Sequence, residues 1–352
     1  MGGPADCIRA TVRAVAPYTP GEQPQSGRRV IKLNTNENPY APSPAVLSAL
    51  RDAVDERVRL YPDPEAVALR EEASRLYGIP VDHIMAGNGS DELLALILRA
   101  LVDPGDRVAF PVPTYSLYET LVAVQGGAPV EIPWPGDWTL PAALADANAK
   151  VTFLCNPNSP SGTLVPIAQI EALAARVAGV LVVDEAYVDF APAHALGLVG
   201  RRPNLLVLRT LSKSYALAGL RVGLAFGHPA LLRGLRTVKD SYNLNRLSQV
   251  AATAALADQA ALRMTLGRVT RTRTRLTEAL RACGFVVPDS CANFVLARRP
   301  GIDQGPVVHA LAARDILVRH FTGHGLADAL RITVGTDDEI DVLLEALGHI
   351  VG

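Results

Sequence analysis

The sequence predicts an α/β fold: a large domain with a mostly parallel central sheet covered by helices, joined to a smaller α/β domain. Three observations lead there. Short apolar runs rich in β-branched residues recur in the middle of the chain, at Val151–Cys155 (VTFLC), Val180–Val183 (VLVV) and Leu205–Leu208 (LLVL). Stretches of helical periodicity separate many of these runs, and continuous apolar strands alternating with helices indicate a parallel sheet buried on both faces. The 352 residues, 49% of them hydrophobic, suffice for two domains at roughly 100–200 residues each.

In chain order, residues 1 to about 30 are rich in proline, glycine and polar groups and read as an arm with one short helix at its start. The arm is expected to reach residue 44 and to join the small domain. The large domain is expected over 45–265. There, Arg107–Phe110 (RVAF) and Val222–Phe226 (VGLAF) add strands, and Ile167–Val177 and Leu231–Lys239 read as helices between strands. A long helical stretch rich in Ala, Leu and Arg runs from about 247 to 283, and the change of texture near 245–285 marks the domain boundary. The small C-terminal domain is expected over 266–352, with strands in NFVLARR, DILVRHF and LRITVG and a closing helix.

The charge balance narrows the function. Charged residues make up 20% and the formal net charge is −1, so neither nucleic acid nor an acidic membrane surface is expected as a partner. No apolar stretch approaches the roughly 20 residues that span a bilayer. The N-terminus, MGGPADCIRATVRAV, lacks the long apolar run of a secretory signal, so a cytoplasmic protein is expected. Cys7, Cys155, Cys283 and Cys291 form no CxxC pair, the histidines are scattered without HExxH, and no metal is expected.

In open α/β sheets, ligands bind beyond the carboxyl ends of the strands, and several polar clusters fall at such ends. AGNGSDE (86–92) runs into the apolar LLALILRAL. Glycine lets the backbone approach a ligand and a helix start presents N–H groups to an anion. Gly89, Ser90 and Asp91 are therefore either a phosphate cradle or a glycine turn with a helix cap. The spacing lacks the third glycine of a dinucleotide fingerprint and the GK[ST] of a Walker loop, which disfavours nucleotides. In VVDEAY (182–187), Asp184 can bind a metal, act as a base, pair with a cationic ring nitrogen, or cap a helix. In LRTLSKSY (208–215), Lys213 stands near Thr210 and Ser212. A lysine at the sheet's carboxyl edge is either partly desolvated, with its pKa lowered toward nucleophilic amine, or an ordinary surface lysine. Arg221 is a second phosphate ligand or a solvated arginine. NPNSPSG (156–162) is a turn by composition that can also project Asn158.

With Tyr115 between the first two, these fragments occur in one order along the chain. The sequence resembles the fold-type I, aspartate aminotransferase-like, pyridoxal-phosphate enzymes. The matching pieces are LNTNENPY (33–40), RLYPDP (59–64), GNGSDELL (87–94), PTYSLY (113–118), NPNSPSGT (156–163), VVDEAYVDF (182–190), RTLSKSYALAGLRVG (209–223), ANF (292–294) and LRITVG (330–335). RTLSKSYALAGLR together with DEAY is the most specific part. The loop reads NPNSPSGT where NPNNPTGT is frequent in relatives. The resemblance implies pyridoxal 5'-phosphate carried covalently by Lys213, with Asp184 on the ring nitrogen, Tyr187 and Asn158 on the ring 3-oxygen, and Tyr115 stacked on the ring. It places Gly89, Ser90, Asp91, Thr210, Ser212 and Arg221 around the phosphate. It sends Tyr61 to the cofactor of a neighbouring subunit, making a homodimer part of the expectation.

The resemblance further implies small-molecule substrates: an amino acid and a 2-oxo acid or a phosphorylated keto compound. The branch it resembles most aminates imidazole-acetol phosphate with glutamate in histidine biosynthesis. Arg331 would hold the substrate carboxylate as a bidentate clamp, with Asn36 beside it. Tyr18, Tyr242, Asn245 and Arg319 are candidates for the substrate phosphate; Tyr242 and Asn245 equally suit packing and capping at a helix start. The rivals are an aromatic amino acid aminotransferase, a threonine-phosphate decarboxylase, and a ligand sensor that keeps the fold.

Overall fold

The computed structural model describes residues 3–16, 21–24 and 30–351. Its strands in chain order are β1 (Ile31–Leu33), β2 (Ile84–Gly87), β3 (Arg107–Val112), β4 (Ala128–Pro133), β5 (Val151–Cys155), β6 (Val180–Asp184), β7 (Leu205–Thr210), β8 (Gly223–Gly227), β9 (Phe294–Arg298), β10 (Ile316–His320) and β11 (Ala329–Thr333). Seven form one sheet in the order β2-β8-β7-β6-β5-β3-β4. β8 runs antiparallel to both its neighbours, and the remaining pairings are parallel. The apolar runs read as strands are the central ones: every residue of β5 and β7 is buried.

Three strands were not expected from the sequence. β4 (APVEIP) alternates half-buried and exposed residues and carries two prolines, which is tolerable because it lies at the sheet edge. β2 is four residues ending in glycine, and β1 is three. β1 pairs in parallel with β10 at the edge of a second sheet, ordered β1-β10-β11-β9, whose other pairings are antiparallel. The stretch expected to be helical from about 247 to 283 is two helices, Arg246–Ala257 and Gln259–Ala282. The break is at Asp258, whose carboxylate accepts the Ala261 N–H at 3.1 Å and so caps the second helix. Helix Gln259–Ala282 serves two cores: Leu262 packs with the large-sheet cluster, Leu276 and Leu280 with the small-sheet cluster.

The start of β8 lies directly against the start of helix Gly89–Leu101. A Cβ on Gly223 would stand 2.6 Å from the Gly89 carbonyl carbon and 2.7 Å from the Ser90 nitrogen, both backbone atoms. Gly223→Ala is therefore expected to lower stability by about 1–3 kcal/mol, the usual cost of overpacking, and to weaken anion binding at residues 89–90. Denaturant unfolding and phosphate titration of the apo protein measure both; an unchanged protein would show that the two segments separate freely.

Candidate active site

The topology gathers polar residues at one edge of the large sheet. β2, β3, β5, β6 and β7 end there, and antiparallel β8 begins there. Ser90 and Asp91 follow β2, Tyr115 follows β3, Ser159 follows β5, Tyr187 follows β6, Lys213 follows β7 and Arg221 precedes β8; all line one cavity, with Asp184 and Thr210 at the strand ends. Its volume of about 390 Å³ suits a small molecule. The small sheet closes the other side with Arg319 and Arg331, and the segment after β1 adds Asn34, Thr35, Asn36 and Glu37.

Lys213 is partly buried, with Nζ 3.4 Å from the Thr35 carbonyl and 5.8 Å from the centre of the Tyr187 ring. Removal from water, reinforced by the positive charge of Arg331, brings its amine down to about 8. Asp184 is 2% exposed, and burial pushes its carboxyl up to about 6. Two donors oppose that rise: Tyr118 Oη gives a hydrogen bond to Oδ2 at 2.8 Å, and the Ala186 N–H one to Oδ1 at 3.1 Å. Tyr187 is buried, its hydroxyl pushed up to about 12 by burial, and it accepts a hydrogen bond from Asn36 Nδ2 at 3.0 Å.

Opposite these groups lies the start of helix Gly89–Leu101. Gly89 has φ +79°, and a Cβ there would meet Arg221 Nη2 at 2.6 Å. Arg221 itself sits at φ +53° and pairs with Asp91 Oδ2 at 3.0 Å. Thr210 Oγ1 donates to Ser212 Oγ at 2.9 Å, setting both hydroxyls beside the helix start. The Tyr115 hydroxyl donates to Asp91 Oδ1 at 3.1 Å, which turns its ring along the cavity wall. A helix N-terminus, hydroxyls and a guanidinium together make an anion cradle.

On the small-sheet side of the cavity, Arg319 and Arg331 are directly opposite on antiparallel β10 and β11. Phe321 lies between them, its ring centre 5.6 Å from the Arg319 guanidinium and 5.5 Å from that of Arg331. Arg331 also donates to the Asn34 carbonyl at 3.0 Å and to Ser159 Oγ at 3.3 Å. Asn36 bonds Thr333 as well as Tyr187, tying the small sheet to the cavity floor.

Several expected positions fall elsewhere. Asn158 does not line the cavity: buried behind the wall, it donates to the Pro113 carbonyl and Ser161 and accepts from Thr114. Ser159 takes the cavity side of that loop, at the position where NPNNPTGT carries its third Asn. Asn245 caps helix Arg246–Ala257, its side chain accepting the Ser248 N–H at 2.9 Å, so it is a capping residue and not a cavity ligand. Tyr242 is outside the cavity and stacks on Tyr61, ring centres 4.3 Å apart. Tyr61 is 79% exposed and likewise outside the cavity. Tyr18 lies outside the described residues. The sequence reading missed Tyr118, although PTYSLY contains it three residues after Tyr115, and it missed Asn34, Thr35 and Phe321.

The residues present fit pyridoxal phosphate. The amine of Lys213 is held near neutrality to join an aldehyde, and a buried carboxylate awaits a cationic ring nitrogen. An aromatic ring forms one wall, and the anion cradle faces a phosphate. Asn34 Oδ1 and Thr35 Oγ1, on two residues that line the same cavity, have no hydrogen-bond partner among the described residues. Fold and site thus define a pyridoxal-phosphate-dependent transferase. The family model for aminotransferase class I and II matches residues 28–347. Histidinol-phosphate aminotransferase 1 of Trichormus variabilis is 48% identical over 97% of each chain. Histidinol-phosphate aminotransferase of Gluconacetobacter diazotrophicus is 46% identical over 97% of this chain and 96% of its own. The crystal structure of histidinol-phosphate aminotransferase from Sinorhizobium meliloti in complex with pyridoxal 5'-phosphate superposes with a TM-score of 0.91 at 29% identity, covering 98% of this chain and 97% of that one. The chain belongs to the class I and II aminotransferases.

Because the neutral amine is the nucleophile, apoenzyme is expected to take up pyridoxal phosphate faster as pH rises, levelling off above about 8. Arg331→Ala removes a charge that depresses the Lys213 pKa, so the plateau should move to higher pH. Stopped-flow absorbance measures this; an Arg331→Ala profile superimposable on the parent would separate the two groups.

Proposed function

We propose that this aminotransferase converts imidazole-acetol phosphate and L-glutamate into L-histidinol phosphate and 2-oxoglutarate. The observation that carries the reading is the pair of register-matched arginines, Arg319 and Arg331, facing the cavity that holds Lys213. Like charges directly opposite across a strand pair repel, and a strongly anionic substrate group between them turns that repulsion into attraction. Phe321 and Tyr115 offer flat apolar surface for an imidazole ring. We assign the glutamate carboxylate to Arg331 and the substrate phosphate chiefly to Arg319.

Pyridoxal phosphate, when bound, supplies an aldehyde and a ring that draws off the electron pair left when a Cα proton departs. The chain's own residues do the rest. Lys213 Nζ would hold the aldehyde end of the cofactor, and its amine is the group that would move the Cα proton as a general base. Asp184 would pair with the ring nitrogen and favour its protonated form, and the hydrogen bond from Tyr118 favours the ionised state of Asp184. Tyr187 and Ser159 would lie toward the ring oxygen, while residues 90–91, Ser212 and Arg221, which line the same cavity beside Gly89, would hold the phosphate.

We further assign the protein to the cytoplasm and to a homodimer. Cytoplasmic residence suits its four free thiols. The dimer reading rests on a surface groove lined by Leu60, Tyr61, Val250 and Ala254, in which Tyr61 stands exposed to a second subunit. The arm with β1 and the C-terminal sheet is assigned as the small domain.

Steady-state kinetics test the assignment. kcat/KM for histidinol phosphate should exceed that for histidinol by about 10⁴-fold, because phosphate ligands left unpaired cost a large factor, and should exceed that for phenylalanine and tyrosine. Arg331→Ala should raise KM for glutamate. A preference for the aromatic amino acids would reject the substrate and retain the class. Tyr61→Phe should weaken cofactor retention; unchanged cofactor affinity would remove Tyr61 from the neighbouring site.

A further inference from the structure

Asp184 and Lys213 face the cavity, but the residues that follow them do not. Glu185 is 1% exposed and Ser214 4% exposed, both turned to the back of the site. There they meet one polar network. Arg209, 5% exposed on β7, donates through Nε to Glu185 Oε2 at 3.1 Å and through Nη1 to Asp189 Oδ1 at 3.3 Å. The second oxygen of Asp189 accepts a hydrogen bond from the Ser214 hydroxyl. The Arg209 guanidinium also lies 4.9 Å from the centre of the Tyr77 ring. A continuous chain, Glu185–Arg209–Asp189–Ser214, therefore joins the residue after Asp184 to the residue after Lys213. On the front, Asn38 Nδ2 reaches the carbonyls of Lys213 and Ser214, both at 3.0 Å.

The energetics argue that this network does more than hold the fold. Buried ion pairs lose solvation that their attraction barely repays, and well-packed apolar replacements are often as stable or more so. Burial works against the charge on Arg209; Glu185, Tyr77 and Asp189 outweigh it and hold its pKa raised. What such a network supplies that leucine cannot is a fixed direction for each hydrogen bond. Two side chains that must act on one small molecule need their separation fixed closely, since a displacement of about 1 Å can cost about 100-fold in rate.

We propose that Glu185, Arg209 and Asp189 are positioning residues that act through Ser214 to fix the Lys213 amine relative to the Asp184 carboxylate. None of them touches the cavity. The inference rests on the assignment of Lys213 and Asp184 to the cofactor. It predicts that loosening the network changes the proton affinity of the lysine–cofactor linkage without altering any group that borders it.

The test uses holoenzyme variants Ser214→Ala, Asp189→Asn and the double variant, read by pH titration of the cofactor absorption band, by kcat and KM, and by the apoenzyme's thermal midpoint. Each single variant should shift the titration midpoint by about 0.5 unit or more and lower kcat about 10-fold with KM changed less than about twofold. The double variant should be no worse than the weaker single, because both break one link. Should Asp189→Asn fail to fold, Ser214→Ala, which removes one hydroxyl, decides alone. A normal titration midpoint and kcat with only a lowered thermal midpoint would overturn the proposal and leave a structural role. Full additivity in the double variant would overturn it as well. Lys213→Ala is the control for the underlying assignment: it must abolish the band, and a band that survived would overturn that assignment and this inference together.

Discussion

The site depends on withholding water from one amine and one carboxylate at the ends of neighbouring strands. Asp184 ends β6 and Lys213 follows β7, and the two strands pair in register up to Asp184 and Leu208. Burial raises the cost of charge on each group, so the lysine moves toward the neutral amine and the aspartate toward the neutral acid. The first shift matches what a carbonyl cofactor requires, and the second is one that a cationic ring nitrogen would reverse. The amine must be free to attack, and the carboxylate recovers its charge when a cation arrives beside it. Tyr118 sets the limit of the second shift, keeping a hydrogen bond on Asp184 that stops it from becoming an inert buried acid.

The second sheet adds a cationic, aromatic wall to the cavity that holds Lys213. Arg319, Phe321 and Arg331 come from two antiparallel strands and the turn between them, so their spacing is set by a hydrogen-bonded ladder and not by loops. Arg331 is the hinge of the arrangement: it reaches Asn34 beyond β1, Ser159 beyond β5, and depresses the lysine. The small sheet and the lysine are thereby coupled through one guanidinium.

The parts of this architecture legible in the sequence were those buried on both sides. β5, β6 and β7 announce themselves as unbroken apolar runs, and Asp184, Thr210, Ser212 and Lys213 could be placed because they end or follow such runs. β1, β2 and β4 could not: all three are edge strands, β1 and β2 too short to show a period and β4 bearing two prolines. Asn158 and Ser159 are adjacent in a turn of irregular backbone, where no period tells which one faces inward; the structure chooses Ser159. Tyr242 and Asn245 precede a helix, where capping and ligand binding look alike in sequence, and the hydrogen bond to Ser248 resolves Asn245 as a cap. Phe321 and Asn34 acquire meaning only from contacts between sheets, which sequence spacing does not encode.

β7 and β8 are antiparallel neighbours, so the segment that carries Lys213 is a hairpin connection and not a crossover. Leu211 N–H bonds the Val222 carbonyl at 3.0 Å, and Leu217 N–H bonds back to Leu211 at 3.1 Å, pinching the excursion shut at its base. The two ends of the loop are thus fixed to one another, and one of them is wedged against Gly89. Insertions and deletions that helices on the sheet faces can absorb would here change the reach of the lysine itself. Length variation among descendants of this chain should therefore accumulate elsewhere and leave residues 211–222 constant in number.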